Sequence, residues 1–193
     1  PPTRPFIDIQ NLPVKTRFLS IHISGTKSEE AILIEVNGIH ANIIDETHWE
    51  ADVDLNDEGQ NLITAIAFDE AENASSPAIT SIIRDTIPPT RPELITNILR
   101  TRASHMRIIG SQSFDTFRMT IDGANNIVLS SPIRWYSDII LVEGPNTFRV
   151  EAFDDVDNVS QPLVFTIVRD TTPPPPPTVN PVITPTNNPI QLL

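Results

Sequence analysis

Cysteine is missing from the 193-residue sequence, so it can form neither a disulfide nor a thiolate metal site. Basic residues are scarce. Lys and Arg number 13 against 25 Asp and Glu, a formal net charge of −12. That balance excludes a nucleic-acid interface, which needs Lys/Arg patches to meet phosphate. It also excludes docking on anionic lipid. The surplus carboxylates keep the chain soluble and leave oxygen ligands for divalent cations. No apolar run approaches the roughly 20 residues of a membrane-spanning helix. No signal-peptide pattern opens the sequence, which begins Pro1-Pro2, so its location has to be inferred by other means. Catalytic signatures are missing too: there is no Gly-rich phosphate loop, no Gly-x-Ser-x-Gly elbow and no His-Glu-x-x-His helix. The four histidines, His22, His40, His48 and His105, share no metal-like spacing and read as surface or edge residues. Catalysis needs converging polar groups in a pocket, and with nothing to supply them the chain is expected not to be an enzyme.

What the sequence does contain is itself, twice. Pro1-Pro2-Thr3-Arg4-Pro5 recurs as Pro88-Pro89-Thr90-Arg91-Pro92, and further matches follow in order at offsets near 85. Val36-Asn37-Gly38 pairs with Ile121-Asp122-Gly123, and Trp49 with Trp135. Gly59-Gln60-Asn61 pairs with Gly144-Pro145-Asn146, and Ala67-Phe68-Asp69 with Ala152-Phe153-Asp154. Asn73-Ala74-Ser75 matches Asn158-Val159-Ser160, and Arg84-Asp85-Thr86 matches Arg169-Asp170-Thr171. The copies span 1–87 and 88–172. Residues 173–193 form a Pro-rich linker and the start of a truncated third copy.

Each copy reads as strands. Leu19 to Ser24 and Trp49 to Leu55 alternate apolar with polar, the period of a half-buried strand. Ile32 to Val36 is β-branched and ends at Asn37-Gly38, a type I′ hairpin signal. Leu62 to Phe68 and Ile79 to Ile83 follow. The second copy repeats the order with Met106 to Ile109, Phe117 to Ile121, Trp135 to Leu141, Thr147 to Phe153 and Leu163 to Val168. Short strands at roughly 10-residue spacing, with no helical period, predict an all-β chain of two tandem immunoglobulin-like (fibronectin III-like) β-sandwiches placed end to end. Seven strands apiece would put the ends of a sandwich at opposite poles. The prolines between the copies fix φ and make a stiff spacer.

The order Asn-Gly, Trp, Gly-x-Asn, Ala-Phe-Asp-x-x-x-Asn-x-Ser and Arg-Asp-Thr-x-Pro-Pro resembles tandem bacterial Ig-like repeats. These occur in surface adhesins, in cell-wall and S-layer-associated proteins, and as accessory modules of secreted polysaccharide enzymes. The resemblance covers residues 1–174 and implies the sandwich fold and an extracellular, cell-surface setting. It departs from the family at Glu72 and Asp157, where a Gly usually precedes the loop Asn, a position suited to φ > 0.

Some adhesin arrays of this kind hold calcium between repeats. The resemblance therefore implies calcium as a cofactor candidate, held at the junction by Asp69, Glu72 and Asp85 and by Asp154, Asp157 and Asp170. The plainer reading is that Asp69 and Asn73 hydrogen-bond their own turn. Asn73-Ala74-Ser75 and Asn158-Val159-Ser160 match the glycosylation sequon, yet they read as turn residues. Trp49 and Trp135 could stack on sugar, but their alternating context favours the core.

The expected function is a non-catalytic structural repeat of a bacterial extracellular protein: adhesin stalk, surface fibre or S-layer-like assembly. The alternative is a carbohydrate-binding accessory module of a secreted enzyme. Expected partners are neighbouring repeats or protomers, with a cell-surface glycan or protein as a further candidate and no membrane insertion. In the tail, Pro189 to Leu193 could form an edge strand, either excised from a longer array or donated to the next protomer.

Overall fold

The computed structural model describes residues 1–179. The tail strand expected at 189–193, and its donation to a neighbour, lie outside the described residues. Residues 6–84 carry nine strands: β1 (Phe6–Ile7), β2 (Lys15–Thr16), β3 (Ser20–Thr26), β4 (Leu33–Val36), β5 (Ile39–His40), β6 (Asn42–Ile43), β7 (His48–Asp54), β8 (Gly59–Phe68) and β9 (Ala78–Arg84). Residues 93–169 carry eight: β10 (Glu93–Leu94), β11 (Arg100–Thr101), β12 (His105–Ser111), β13 (Arg118–Ile121), β14 (Val128–Ser131), β15 (Arg134–Ile140), β16 (Gly144–Phe153) and β17 (Leu163–Arg169). The ten principal strands fall within three residues of the positions predicted from alternation. The count exceeds seven because the first strand of each copy is split between the sheets. The first copy also adds the edge strand β5.

The sheets have the orders β1-β3-β7-β6 and β2-β9-β8-β4-β5, then β10-β12-β15-β14 and β11-β17-β16-β13. In each half the four-stranded arrangement of first, second, fifth and fourth main strands faces the sheet of third, sixth and seventh. That is the immunoglobulin arrangement. Every ladder is antiparallel except two. β2 runs parallel to β9 (Lys15 opposite Ile83), and β11 runs parallel to β17 (Arg100 opposite Val168). Among the described residues no ladder joins the two halves, and each half buries its own apolar cluster.

Alternation decides which side chains go inward. In β3, Ile21, Ile23 and Gly25 are buried while Ser20 and His22 face water. Ile34, Leu55, Ile63 and Ile82 complete the first core, and Ile108, Leu141, Val150 and Ile167 the second. The hairpin expected at Asn37-Gly38 forms with φ of 50° and 80°, and Asp122-Gly123 repeats it at 49° and 79°. Gly59 and Gly144 turn the chain at φ 91° and 92°. Asn61 then spans that corner. It accepts from the Asp57 amide at 3.1 Å and donates to the carbonyls of Asp57 (2.7 Å) and Gly59 (3.0 Å). Asn146 makes the same three bonds to Val142 and Gly144.

Trp49 and Trp135 are fully buried, each at the centre of its core. Each indole lies against the glycine directly across the ladder, Gly25 or Gly110. Each indole N–H donates to the carbonyl of the next residue, Thr26 at 3.2 Å and Ser111 at 3.1 Å. A Cβ on Gly25 would collide with the Phe6 carbonyl and come within 2.6 Å of the Trp49 ring. At Gly110 it would collide with the Glu93 carbonyl and the Trp135 ring. The Trp–Gly pair thus lets β1 and β10 close over the ring. Trp49→Ala should cost ~3–5 kcal/mol by the large-to-small penalty. Gly25→Ala should cost about 1–3 kcal/mol through overpacking. Denaturant melts of the two variants check both figures, and a neutral Gly25→Ala would refute the close approach.

Candidate functional site

The polar cluster shared by the two halves is built from both ends of the repeat. On the first half, β2 lies beside the end of β9 and sets Lys15 against Asp85, with Arg17 one residue past the strand. On the second half, the loop after β16 presents Asp154, Asp155, Asp157 and Asn158. Lys15 Nζ sits 2.6 Å from Asp85 Oδ2 and 2.8 Å from Asp155 Oδ1. Arg17 donates to the Asp157 carbonyl at 2.6 Å. Asn158 Nδ2 donates back to the Asp85 carbonyl at 2.9 Å. One ammonium therefore bridges carboxylates of both halves, with a bond in each direction beside it.

The loops themselves are held by their first aspartates. Asp69 Oδ1 accepts from the amides of Ala71 (3.1 Å) and Asn73 (2.8 Å), and its other oxygen accepts from Asn73 Nδ2 at 2.9 Å. Asp154 repeats this with Val156, Asn158 and Asn158 Nδ2. Glu72 and Asp157 follow at φ 60° and 65°, the left-handed conformation that the usual Gly would take. Ser75 and Ser160 of the sequon-like triplets accept from the Ala67 and Ala152 amides, each at 3.0 Å, which makes both triplets part of the loop.

The repeated Asp-Thr motif fixes the other face. Glu58 grips the Thr86 amide and hydroxyl at 2.9 and 2.8 Å, and Glu143 does the same for Thr171 at 3.0 and 2.9 Å. Asp85 and Asp170 each accept from the amide two residues on, Ile87 and Thr172, at 3.0 Å. The chain therefore leaves the last strand in a set direction.

Of the six residues picked from sequence, the structure brings Asp85 and Asp154 together, with Asp155 as the third member. Carboxylate oxygens of the three lie within 4.8 Å of one another. Asp157 is adjacent but turns its carboxylate to Arg118 at 2.7 Å. Asp69 and Glu72 lie on the equivalent loop of the first half, where Asp69 is 3.8 Å from the Pro1 ammonium. Asp170 pairs with Arg100 at 2.7 Å. Sequence reading missed Lys15 and Arg17. Their signal was present, because both charges recur 85 positions on as Arg100 and Arg102.

Burial pushes the Asp85 carboxyl up, but the Lys15 ammonium and the Ile87 amide more than offset this and hold it below its ordinary range. Hydrogen bonds that the Lys15 ammonium donates to the Asp155 and Asp85 carboxylates raise it above its ordinary 10.5. A carboxyl lowered by folding stabilises above its unfolded pKa, about 3.9, and loses that contribution as pH falls through the folded value. A raised Lys contributes below its unfolded pKa and is lost only as pH climbs through the folded one. The junction should thus be intact from about pH 4 to about 10.5. The melting difference between the unmodified chain and Lys15→Met should be constant in that window and shrink outside it. A difference that persists at pH 2 would exclude the ion pair as its source.

Neither a family model nor a curated protein matches the chain. Among solved structures it is similar to the Clostridium thermocellum CbhA fibronectin(III)-like modules, at 18% identity and a TM-score of 0.47 over 86% of this chain and 93% of that one. The D00-D0 domain of intimin follows at 13% identity, a TM-score of 0.35 and 83% and 98% coverage. SGBP-B of the Bacteroides ovatus mixed-linkage glucan utilization locus, solved with a mixed-linkage heptasaccharide, stands at 10% identity, a TM-score of 0.27 and 81% and 42% coverage. The assignment to an all-β, immunoglobulin-like fold rests on the strand order.

Proposed function

We propose that the chain is a non-catalytic structural segment of a bacterial extracellular protein, in which tandem sandwiches 1–87 and 88–172 are stacked as links of a stalk, fibre or S-layer-like assembly. The observation that carries this reading is the junction itself. A repeat whose loop and strand ends are made to clasp the next repeat is built to transmit position along its length. The Lys15 bridge and the two flanking bonds add direct contact to the proline spacer at Pro88-Pro89. Against the carbohydrate-binding alternative stands the burial of both Trp rings, which takes the two indoles out of reach of a sugar and leaves only scattered Phe rings such as Phe18 and Phe114 at the surface.

In this reading the cation of the junction is the Lys15 ammonium, and calcium is not needed. The Asp154 oxygens are engaged by loop N–H groups, and Asp85 and Asp155 by Lys15. Melting temperature should be unchanged by excess chelator. A chelator-dependent drop would replace the ammonium with a metal in the account.

The reading is tested by calorimetry on the separate pieces 1–87 and 88–172 beside the whole chain. Each piece should fold alone, because each has its own core. The whole should melt above the less stable piece, and Lys15→Met combined with Arg17→Ala should bring it down to that level. Coincident melting of whole and pieces would mean that the halves are uncoupled. Selective binding on a glycan array would favour the accessory-module alternative.

A further inference from the structure

The two sandwiches share a strand order and differ in what one face shows to water. That face is the outer side of β4, β8 and β9 in the first half and of β13, β16 and β17 in the second, which alternation turns away from each core. In the first half it carries Leu33, Leu62, Ile66, Phe68, Ile79 and Ile83, all exposed or half-buried. The register sets them side by side: Gln60 lies opposite Ile83, Thr64 opposite Ile79 and Phe68 opposite Leu33. Leu62 and Ile79 stay 63% and 62% exposed with the second half in place, so the internal junction does not cover the face.

In the second half the equivalent positions, 85 residues on, are polar. Thr147 stands for Leu62, Arg149 for Thr64, Glu151 for Ile66 and Arg118 for Leu33. They are also engaged with one another. Thr147 hydrogen-bonds Thr166 across the ladder at 2.8 Å, Arg149 pairs with Glu151, and the Arg118 guanidinium lies 3.7 Å over the Phe153 ring. The same ladders therefore form with a polar outer face, and folding does not demand the aliphatic one. A contiguous exposed patch of that kind marks a contact surface.

Charge narrows the occupant. The chain carries −12, so two copies repel over most of their surfaces. Among the outward residues of β4, β8 and β9 the one charge is Glu35, and His40 lies 3.3 Å from it. The face is thus a place where two such chains can approach. It is flat and aliphatic, with no central charge to select a charged ligand, and it suits another sheet of the same kind stacked about 10 Å away. We propose that a second copy of this chain covers it, the first halves packing face to face through β8 and β9 as an isologous dimer. At about 3.3 Å per residue and about 4.8 Å between strands, the three strands offer roughly 300–400 Å² per copy, the size of a weak, reversible contact. The face is made of strand middles and is separate from the Lys15 junction, so it joins chains side by side and goes beyond the array reading.

Sedimentation velocity of the full chain from about 10 μM to about 1 mM tests it, the range in which a weak contact fills. The unmodified chain should shift toward dimer mass as concentration rises. The diagnostic variant borrows the second half's own residues: Leu62→Thr, Thr64→Arg and Ile66→Glu together copy Thr147, Arg149 and Glu151, which the same ladder already accepts. It should fold and raise the dissociation constant at least about tenfold by removing apolar contact. Ile79→Lys, on the neighbouring strand, should do the same. Lys15→Met with Arg17→Ala should leave the association unchanged. In a mixture of isotope-labelled and unlabelled chains, methyl contacts between copies should join Leu62, Ile66 and Ile79. A chain that stays monomeric at about 1 mM overturns the proposal. So does an association that survives both face variants, or one that is lost with the Lys15 variant instead.

Discussion

A single ammonium between two carboxylates ties together the two halves of this molecule. Lys15 belongs to a two-residue strand, contacts Asp85 of its own half, and reaches Asp155 of the other. An exposed ion pair of this type contributes little energy by itself. Its weight here comes from position. Split first strands, a gripped Thr86 and a pinned loop fix the backbone segments that carry the three side chains, which lowers the backbone entropy the contact costs.

The core of each half is built without cysteine. Where many immunoglobulin domains place a disulfide against a Trp, each half places a Trp against a glycine on the neighbouring strand. The ring supplies a large buried apolar area, and the missing Cβ allows the next strand to approach. At the corner before β8 and before β16, a buried or half-buried Asn closes three backbone bonds. Core and corner are present in both copies, so either half has its own means of holding shape.

The sequence made the main strands legible because half-buried strands must alternate, and it made the Asn-Gly hairpin legible because only certain residues tolerate two positive φ values. It also marked Glu72 and Asp157 as residues standing where Gly is usual, and both adopt the left-handed conformation. The two-residue strands β1, β2, β10 and β11 could not be read, since two residues carry no period. Lys15 and Arg17 have no local signature, and only their recurrence as Arg100 and Arg102 marks them in the sequence; what they contact is a loop 140 positions away. Among the acidic residues, sequence marked the Asp85 and Asp154 pair but could not separate it from Asp69 and Glu72. Which copies of a repeated loop are covered depends on how the halves meet.

The central claim is that the two halves are held in one orientation by the Lys15 junction. Residual dipolar couplings of the amides in residues 6–84 and 93–169 measure this directly. The account predicts one alignment tensor for both halves at neutral pH, resolving into two in Lys15→Met with Arg17→Ala. Two different tensors in the unmodified chain would contradict it.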